Sequence, residues 1–164
     1  MTKNLSKKVV IDPIAEFMQE HDLALKQLYE LNDAIKKISH NGFSKEYFKV
    51  ILKSVKYMKN EVSIHNGKEE KVLFPILEKY VEGPTQIMRD EHKYLKKKFL
   101  QFEDVVKNLK EKSDKKLINH LISLSKIIIK IFVNHIHKEN YILFPFVSKF
   151  LSKEELRKIA KKIS

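Results

Sequence analysis

The chain contains no cysteine. That absence excludes a disulfide framework, a thiol nucleophile, iron–sulfur ligation and any zinc site built on thiolates. Glycine and proline are scarce, with three and four among 164 residues. So few turn-formers argue against all-β folds and against Gly-rich nucleotide-binding folds. Arginine is nearly missing too: of 33 basic residues, only Arg89 and Arg157 are arginine. The net charge of +12 is therefore lysine charge. Nucleic-acid binders lean on arginine for bidentate phosphate and base contacts, whereas a lysine-rich surface more simply solubilises. Nucleic acid is accordingly not the partner this composition favours. No long apolar run goes uninterrupted, because the most apolar stretch, residues 117–133, carries Asn119, His120, Lys126 and Lys130. That argues against a segment able to span a bilayer. Residues 2–8 lead into a polar helix start rather than a signal peptide, so a cytoplasmic location is expected.

What remains is a chain that is 43% hydrophobic and 33% charged, enough for one globular domain with one core. Its apolar residues recur at helical spacing. Asp12 followed by Pro13 is a helix start, and Phe17, Met18, Leu25, Leu28, Leu31, Ile35 and Ile38 keep to one face until Asn41-Gly42. Ser44 restarts a helix whose series Phe48, Ile51, Val55, Met58, Val62, Val72 and Ile76 runs to Gly83-Pro84. A third helix follows from about Thr85, with Met88, Leu95, Phe99, Phe102, Val106 and Leu109. A break at Ser113-Asp114 opens the fourth: Leu117, Leu121, Leu124, Ile128, Ile131, Ile142 and Phe146. Ser152 with Glu155 forms a capping box for a short fifth helix. Connections at 40–43, 82–84 and 111–114 are too short for crossovers. The reading is an all-α fold, an up-down-up-down four-helix bundle with a short C-terminal fifth helix over residues 12–164. Residues 1–11 would be an N-terminal extension.

The bundle is duplicated. His65-Asn-Gly-Lys-Glu-Glu-Lys-Val-Leu-Phe-Pro75 aligns with His135-Ile-His-Lys-Glu-Asn-Tyr-Ile-Leu-Phe-Pro145, six of eleven positions being identical. Glu20-His21 recurs as Glu91-His92. Each hairpin thus carries one histidine on its first helix and His-x-x-x-Glu on its second. The two histidines lie 44 residues apart in one copy and 43 in the other.

His21, His65, His92 and His135 all fall on the apolar faces, and Glu69 and Glu139 follow one turn after their histidines. Measured from the hairpin turns, the four histidines stand about 20 to 23 residues away, so at about 1.5 Å per residue they share one level of the core. A buried carboxylate pair among leucines and phenylalanines requires protonation, ion pairing with histidine, or a metal. Six such residues repeated in register point to metal. They offer too many donors for one tetrahedral zinc and suit two first-row ions that accept imidazole and carboxylate together, iron first and manganese second.

With its doubled His-x-x-x-Glu…Leu-Phe-Pro blocks, the paired Glu-His and the capped closing helix, the chain resembles the hemerythrin-like family of His-His-Glu cation-binding domains. The ferritin-like bundles instead use a Glu-rich set with Glu-x-x-His. The resemblance implies a non-haem di-iron centre with an oxygen bridge, bridged by Glu69 and Glu139, with His21, His65, His92 and His135 as terminal ligands; manganese or zinc could stand in for iron. Oxygen-carrying hemerythrins add a fifth histidine one turn after the third-helix ligand, where this chain has Lys96. Each iron would then keep about one open position. The implied function is binding or sensing of oxygen, nitric oxide or related oxidants, with a small diatomic ligand as partner. The alternatives are iron–sulfur cluster repair or iron handling, and a metal-free basic bundle that binds nucleic acid or an acidic partner. Among the other polar residues, His137 is expected to face outward, His40 to be solvated at a helix end and His120 to lie at the surface. Glu20, Glu70 and Glu91 flank the ligand positions, either as acceptors behind the ligands or as surface ion-pair groups. Tyr29, Tyr57, Tyr94 and Tyr141 are read as core or rim residues, and Pro75 and Pro145 as kinks.

Overall fold

A computed structural model describes residues 12–110 and 112–164; the expected N-terminal extension, residues 1–11, lies outside them. All regular structure among these residues is helical. Helix α1 is Pro13–Asn41, opened by the Asp12 side chain accepting from the Ile14 N–H at 3.0 Å and closed at Gly42, whose φ of 83° suits glycine. Helix α2, residues 45–77, begins under a Ser44 cap. Helix α3 is Pro84–Asn108, entered through Gly83 at a φ of 104°. Helix α4, Lys115–Phe150, starts where Asp114 accepts from the Leu117 N–H. Helix α5 is Lys153–Ile163, with the expected Ser152–Glu155 capping box in place.

Helices α1 and α2 pack together, as do α3 and α4, and the two hairpins meet along α1–α4 and α2–α3. The second helix stops sooner than expected, at Leu77 rather than Gly83, where the Lys79 and Tyr80 N–H groups tighten onto the Ile76 and Leu77 carbonyls, three residues back instead of four. The third ends at Asn108, where Leu109 is already extended. By mean hydropathy, 1.4 over an 18-residue window, α4 is long and apolar enough to cross a membrane, so its four polar residues do not disqualify it as expected. It nevertheless carries buried His135 and Glu139 and packs against α1 and α3.

The largest departure from simple α periodicity is a change of helical register. Helix α2 widens into π turns at Met58–Val62 and Glu69–Leu73, and α4 does so at Glu139–Leu143. The Phe74 N–H bonds the Glu69 carbonyl and the Phe144 N–H the Glu139 carbonyl, five residues back in each case. This shifts the inward face by one residue. Leu73, Leu77, Leu143 and Val147 are buried, whereas Val72 and Ile76 are half-buried and Ile142 is 54% exposed. Straight α spacing puts Val72, Ile76, Ile142 and Phe146 on the core face; the π turns override it. Pro75 follows directly and has no N–H to donate. The Glu70 carbonyl, five residues back, instead accepts from Arg89 Nη1 at 3.3 Å.

Buried positions repeat at constant offsets through the two hairpins. Phe17, His21, Ala24, Leu31 and Ile35 match Met88, His92, Leu95, Phe102 and Val106, 71 residues on. Ile51, Met58, Val62, His65 and Leu73 match Leu121, Ile128, Phe132, His135 and Leu143, 70 residues on. The one-residue difference between the His–His spacings therefore sits in the hairpin turns, between Ile38 and Ile51 against Leu109 and Leu121.

Among the described residues the core forms two apolar clusters. One spans the hairpin-turn end around Leu31, Ile51, Phe102, Leu121 and Ile128. The other, around Phe17, Leu73, Phe74, Phe144 and Val147, is capped by Ile159 and Ile163 of α5. Each fully buried large side chain contributes roughly 1.5–3 kcal/mol of transfer free energy. Between the two clusters lies a polar layer.

Candidate metal centre

The six residues expected to converge do so. His21, His65, Glu69, His92, His135 and Glu139 are all buried, and both carboxylates are fully enclosed. They form two groups that share the carboxylates. His21 and His65 approach with Glu69 and Glu139, and so do His92 and His135. In the first group His65 Nε2 lies 2.8 Å from Glu69 Oε1 and His21 Nε2 lies 2.9 Å from Glu139 Oε2. In the second, His92 Nε2 lies 3.2 Å from Glu69 Oε2 and His135 Nε2 2.9 Å from Glu139 Oε1. Each carboxylate thus turns one oxygen to each histidine pair. Within a pair the two Nε2 atoms stand 3.0 Å apart, facing the same point.

Every imidazole is aimed by what holds its other nitrogen. His65 Nδ1 is 2.6 Å from Glu20 and His135 Nδ1 is 2.7 Å from Glu91. His92 Nδ1 is 2.7 Å from Glu70, and His21 Nδ1 is 2.6 Å from Asn140 Oδ1. An acceptor at Nδ1 keeps the proton there and leaves the Nε2 lone pair directed into the core. Glu20 is itself held by Lys68 at 2.7 Å, and Glu91 by Lys138. Aromatic rings cover the far sides: Phe144 stacks on His21 and Phe74 on His92, the two phenylalanines of the Leu-Phe-Pro blocks.

All four oxygens of Glu69 and Glu139 are buried with no hydrogen bond to any group that carries a proton permanently, and each meets an Nε2 atom at 2.8–3.2 Å. A buried carboxylate left in that state is costly, and four such oxygens at one place call for a cation. In the metal-free protein protons would supply the charge. Burial opposes a charged imidazole, yet the nearby Glu139 and Glu69 carboxylates push His21 up to about 9. Burial is likewise outweighed at His65, where Glu69 and Glu20 raise the ring to about 10, and at His92, where Glu139 and Glu69 do the same. His135 is raised against burial by the charge of Glu139. Burial and the Glu69 charge both push Glu139 up, but the histidines around it win and hold it down to about 2. Glu69 also lies well below the usual carboxylate range despite its burial, through His65, His21 and His92.

The donor set fits metal. In each group the four ligating atoms lie within 4.8 Å of one another and the two Nε2 atoms stand 3.0 Å apart, so a single ion entering between them needs only a few tenths of an ångström of side-chain adjustment to reach ordinary nitrogen and oxygen bond lengths of about 2.0–2.2 Å. Imidazole nitrogen with carboxylate oxygen suits first-row ions.

Of the remaining polar residues, Glu20, Glu70 and Glu91 prove to be the acceptors behind the histidines. Asn140, uncharged and unmarked by any ligand motif, is the fourth; the repeat alignment pairs it with Glu70. His137, His40 and His120 are exposed, as expected. Tyr29, Tyr94 and Tyr141 are exposed, and Tyr57 packs half-buried against the hairpin-end cluster. Lys96, one turn after His92, is exposed on the rim of a cleft between α2 and α3.

No curated protein matches the chain in a sequence search. The family model of the hemerythrin HHE cation-binding domain matches residues 12–147, which include both Glu-His pairs and both His-x-x-x-Glu blocks. The chain therefore belongs to the hemerythrin HHE cation-binding domain family, and its His/Glu cluster is a metal-binding site.

Proposed function

We propose that this centre holds two iron ions joined by an oxygen bridge, and that the protein binds or senses oxygen, nitric oxide or a related small oxidant. His21 and His65 would hold one ion and His92 and His135 the other, with Glu69 and Glu139 giving one oxygen to each. The observation that carries this reading is the set of four orphaned carboxylate oxygens turned in pairs toward two pairs of inward-facing Nε2 atoms. Iron in such a set, when bound, supplies reversible electron transfer and an affinity for diatomic ligands. The chain's own residues do the rest. Glu20, Glu70, Glu91 and Asn140 fix the imidazole orientations, while Phe74 and Phe144 keep water from two of the rings.

The reading treats the bundle as up-down-up-down, which the short connections and the pairwise helix packing support, and the location as cytoplasmic. Manganese or zinc would occupy the same donors. Iron–sulfur repair is the weaker reading, because the chain has no cysteine to hand a cluster or its fragments to. The test is anaerobic loading with ferrous iron followed by titration with nitric oxide or oxygen, watched by absorption. New near-ultraviolet and visible bands that saturate with the gas support the proposal; an unchanged spectrum of fully loaded protein overturns it.

A further inference from the structure

The duplication lets one seam of the bundle serve as a control for the other. Where α1 meets α4, the seam is filled: Phe132 and Ile136 are buried, with Leu25 and Ile129 packed against them. The equivalent places on the α2–α3 seam hold Val62, Asn66, Lys96 and Lys59. Each is smaller or charged, and the seam is open as a cleft of about 690 Å³. Only the His92–His135 side of the polar layer borders it, through His92 and Glu70.

The cleft is amphipathic along its length. Lys59 pairs with Glu103 at 3.0 Å at one end, and Arg89 reaches the Glu70 carbonyl at the other. The intervening residues of α2 cover roughly 16 Å. Around the Lys59 end the lining is Val55, Met58, Val62, Phe99 and Phe102. Toward His92 it is net cationic, with Lys71, Lys93 and Lys96 on the rim and one carboxylate, Glu70, which His92 Nδ1 engages at 2.7 Å. None of these three lysines has an ion-pair partner among the described residues, whereas Lys59 and Arg89 are engaged by Glu103 and Glu78. At Gly67 a Cβ would meet nothing within 4 Å, so the floor is also wide. A diatomic gas needs a space of only about one water molecule's volume, ~30 Å³, so this cleft is far larger than such a ligand requires. Its volume and its mix of apolar wall and unpaired positive charge are those of a site for a small organic ligand.

We propose that the α2–α3 cleft binds an amphipathic organic monoanion, a medium-chain carboxylate, with its tail along Val55, Met58, Val62 and Phe99 and its head among Lys71, Lys93 and Lys96. The site is made of side chains alone, so it stands whether or not iron is the bound metal, and it goes beyond the diatomic ligand proposed above. Decanoate is the probe, with decanol as the uncharged partner of equal chain length. Both are titrated by calorimetry into the purified chain, as isolated and after chelation. Decanoate is expected to bind saturably at one per chain in both preparations, about tenfold or more tighter than decanol. The double variant Val62→Phe/Asn66→Ile copies the residues that fill the other seam; it should abolish saturable binding and keep the wild-type metal content and melting temperature. Lys93→Gln/Lys96→Gln should weaken decanoate and leave decanol unchanged. The proposal is overturned by absent saturable decanoate binding at millimolar concentration, by equal affinity for decanol, or by full binding in the folded double variant.

Discussion

Glu70 and Asn140 occupy equivalent places in the two hairpins, and each accepts from the Nδ1 of the histidine on the opposite hairpin's first helix. Glu70 receives His92 at 2.7 Å and Asn140 receives His21 at 2.6 Å. Only one of the two is charged. The His92–His135 pair is thus backed by two carboxylates, Glu70 and Glu91, and the His21–His65 pair by one, Glu20. A carboxylate behind an imidazole makes it a stronger donor, and loss of such a partner typically costs about 10–100-fold in metal affinity. The two ions are therefore expected to bind in two steps. Glu70→Gln should weaken the tighter step by about 10–100-fold, and Asn140→Asp should bring the steps together. Metal titration against a competing chelator measures both; steps that do not respond to either change would remove this role from the pair.

Glu69 and Glu139 each serve both histidine pairs. Glu69→Ala or Glu139→Ala should accordingly empty both halves of the site, while His21→Ala should reduce the content by one ion. In metal-free protein, either Glu→Ala change leaves buried imidazolium groups short of counter-charge, a loss of about 3–5 kcal/mol. Metal content and chemical denaturation of the three variants separate these outcomes.

Stability of the chelated protein should depend on pH in a defined direction. The folded pKa values of His21, His65 and His92 are raised from 6.5 to about 9, 10 and 10. Their contribution is full below about 6.5 and is lost as pH rises through about 9 to 10. Glu139 is lowered from 4.5 to about 2, so its contribution is present above 4.5 and lost as pH falls toward 2. The metal-free melting temperature should thus decline from neutral pH into the alkaline range. Metal-loaded protein, whose histidines are already deprotonated, should not share that alkaline decline. Melting curves of both forms between neutrality and the upper folded pKa test the difference.

Phe144 is 2% exposed and stacks on His21. Phe144→Ala should cost about 3–5 kcal/mol through the cavity it leaves. Tyr141, 76% exposed on the same helix, should tolerate alanine within about 0.5 kcal/mol. Urea denaturation of the two variants compares them directly.

Much of this was legible in the sequence because the duplicated blocks carry both the architecture and the six inward groups. Two features were not. The π turns leave a mark in the spacing: His65, Glu69, Leu73 and Leu77 are each four apart, as are His135, Glu139, Leu143 and Val147. A face kept over successive steps of four exceeds the 3.6 of an α-helix and calls for wider turns. Read with α spacing alone, Val72 and Ile142 take the inward places. The other feature is the ring of Nδ1 acceptors. Glu20, Glu70 and Glu91 sit next to inward positions and are only partly buried, and a glutamate at such a place reads in sequence equally well as a surface ion-pair residue. Asn140 lacked a charge to draw notice, although its alignment with Glu70 marks it.

The proposed function turns on whether the six buried residues hold two metal ions. Metal analysis of the anaerobically purified chain, beside Glu69→Ala and Glu139→Ala, tests it most directly. Two irons per wild-type chain are expected, with little or none in either variant and a wild-type melting temperature that falls on chelation. Wild-type protein that carries no metal, and whose melting temperature does not respond to added ferrous iron, would contradict it and make the six residues a polar core network.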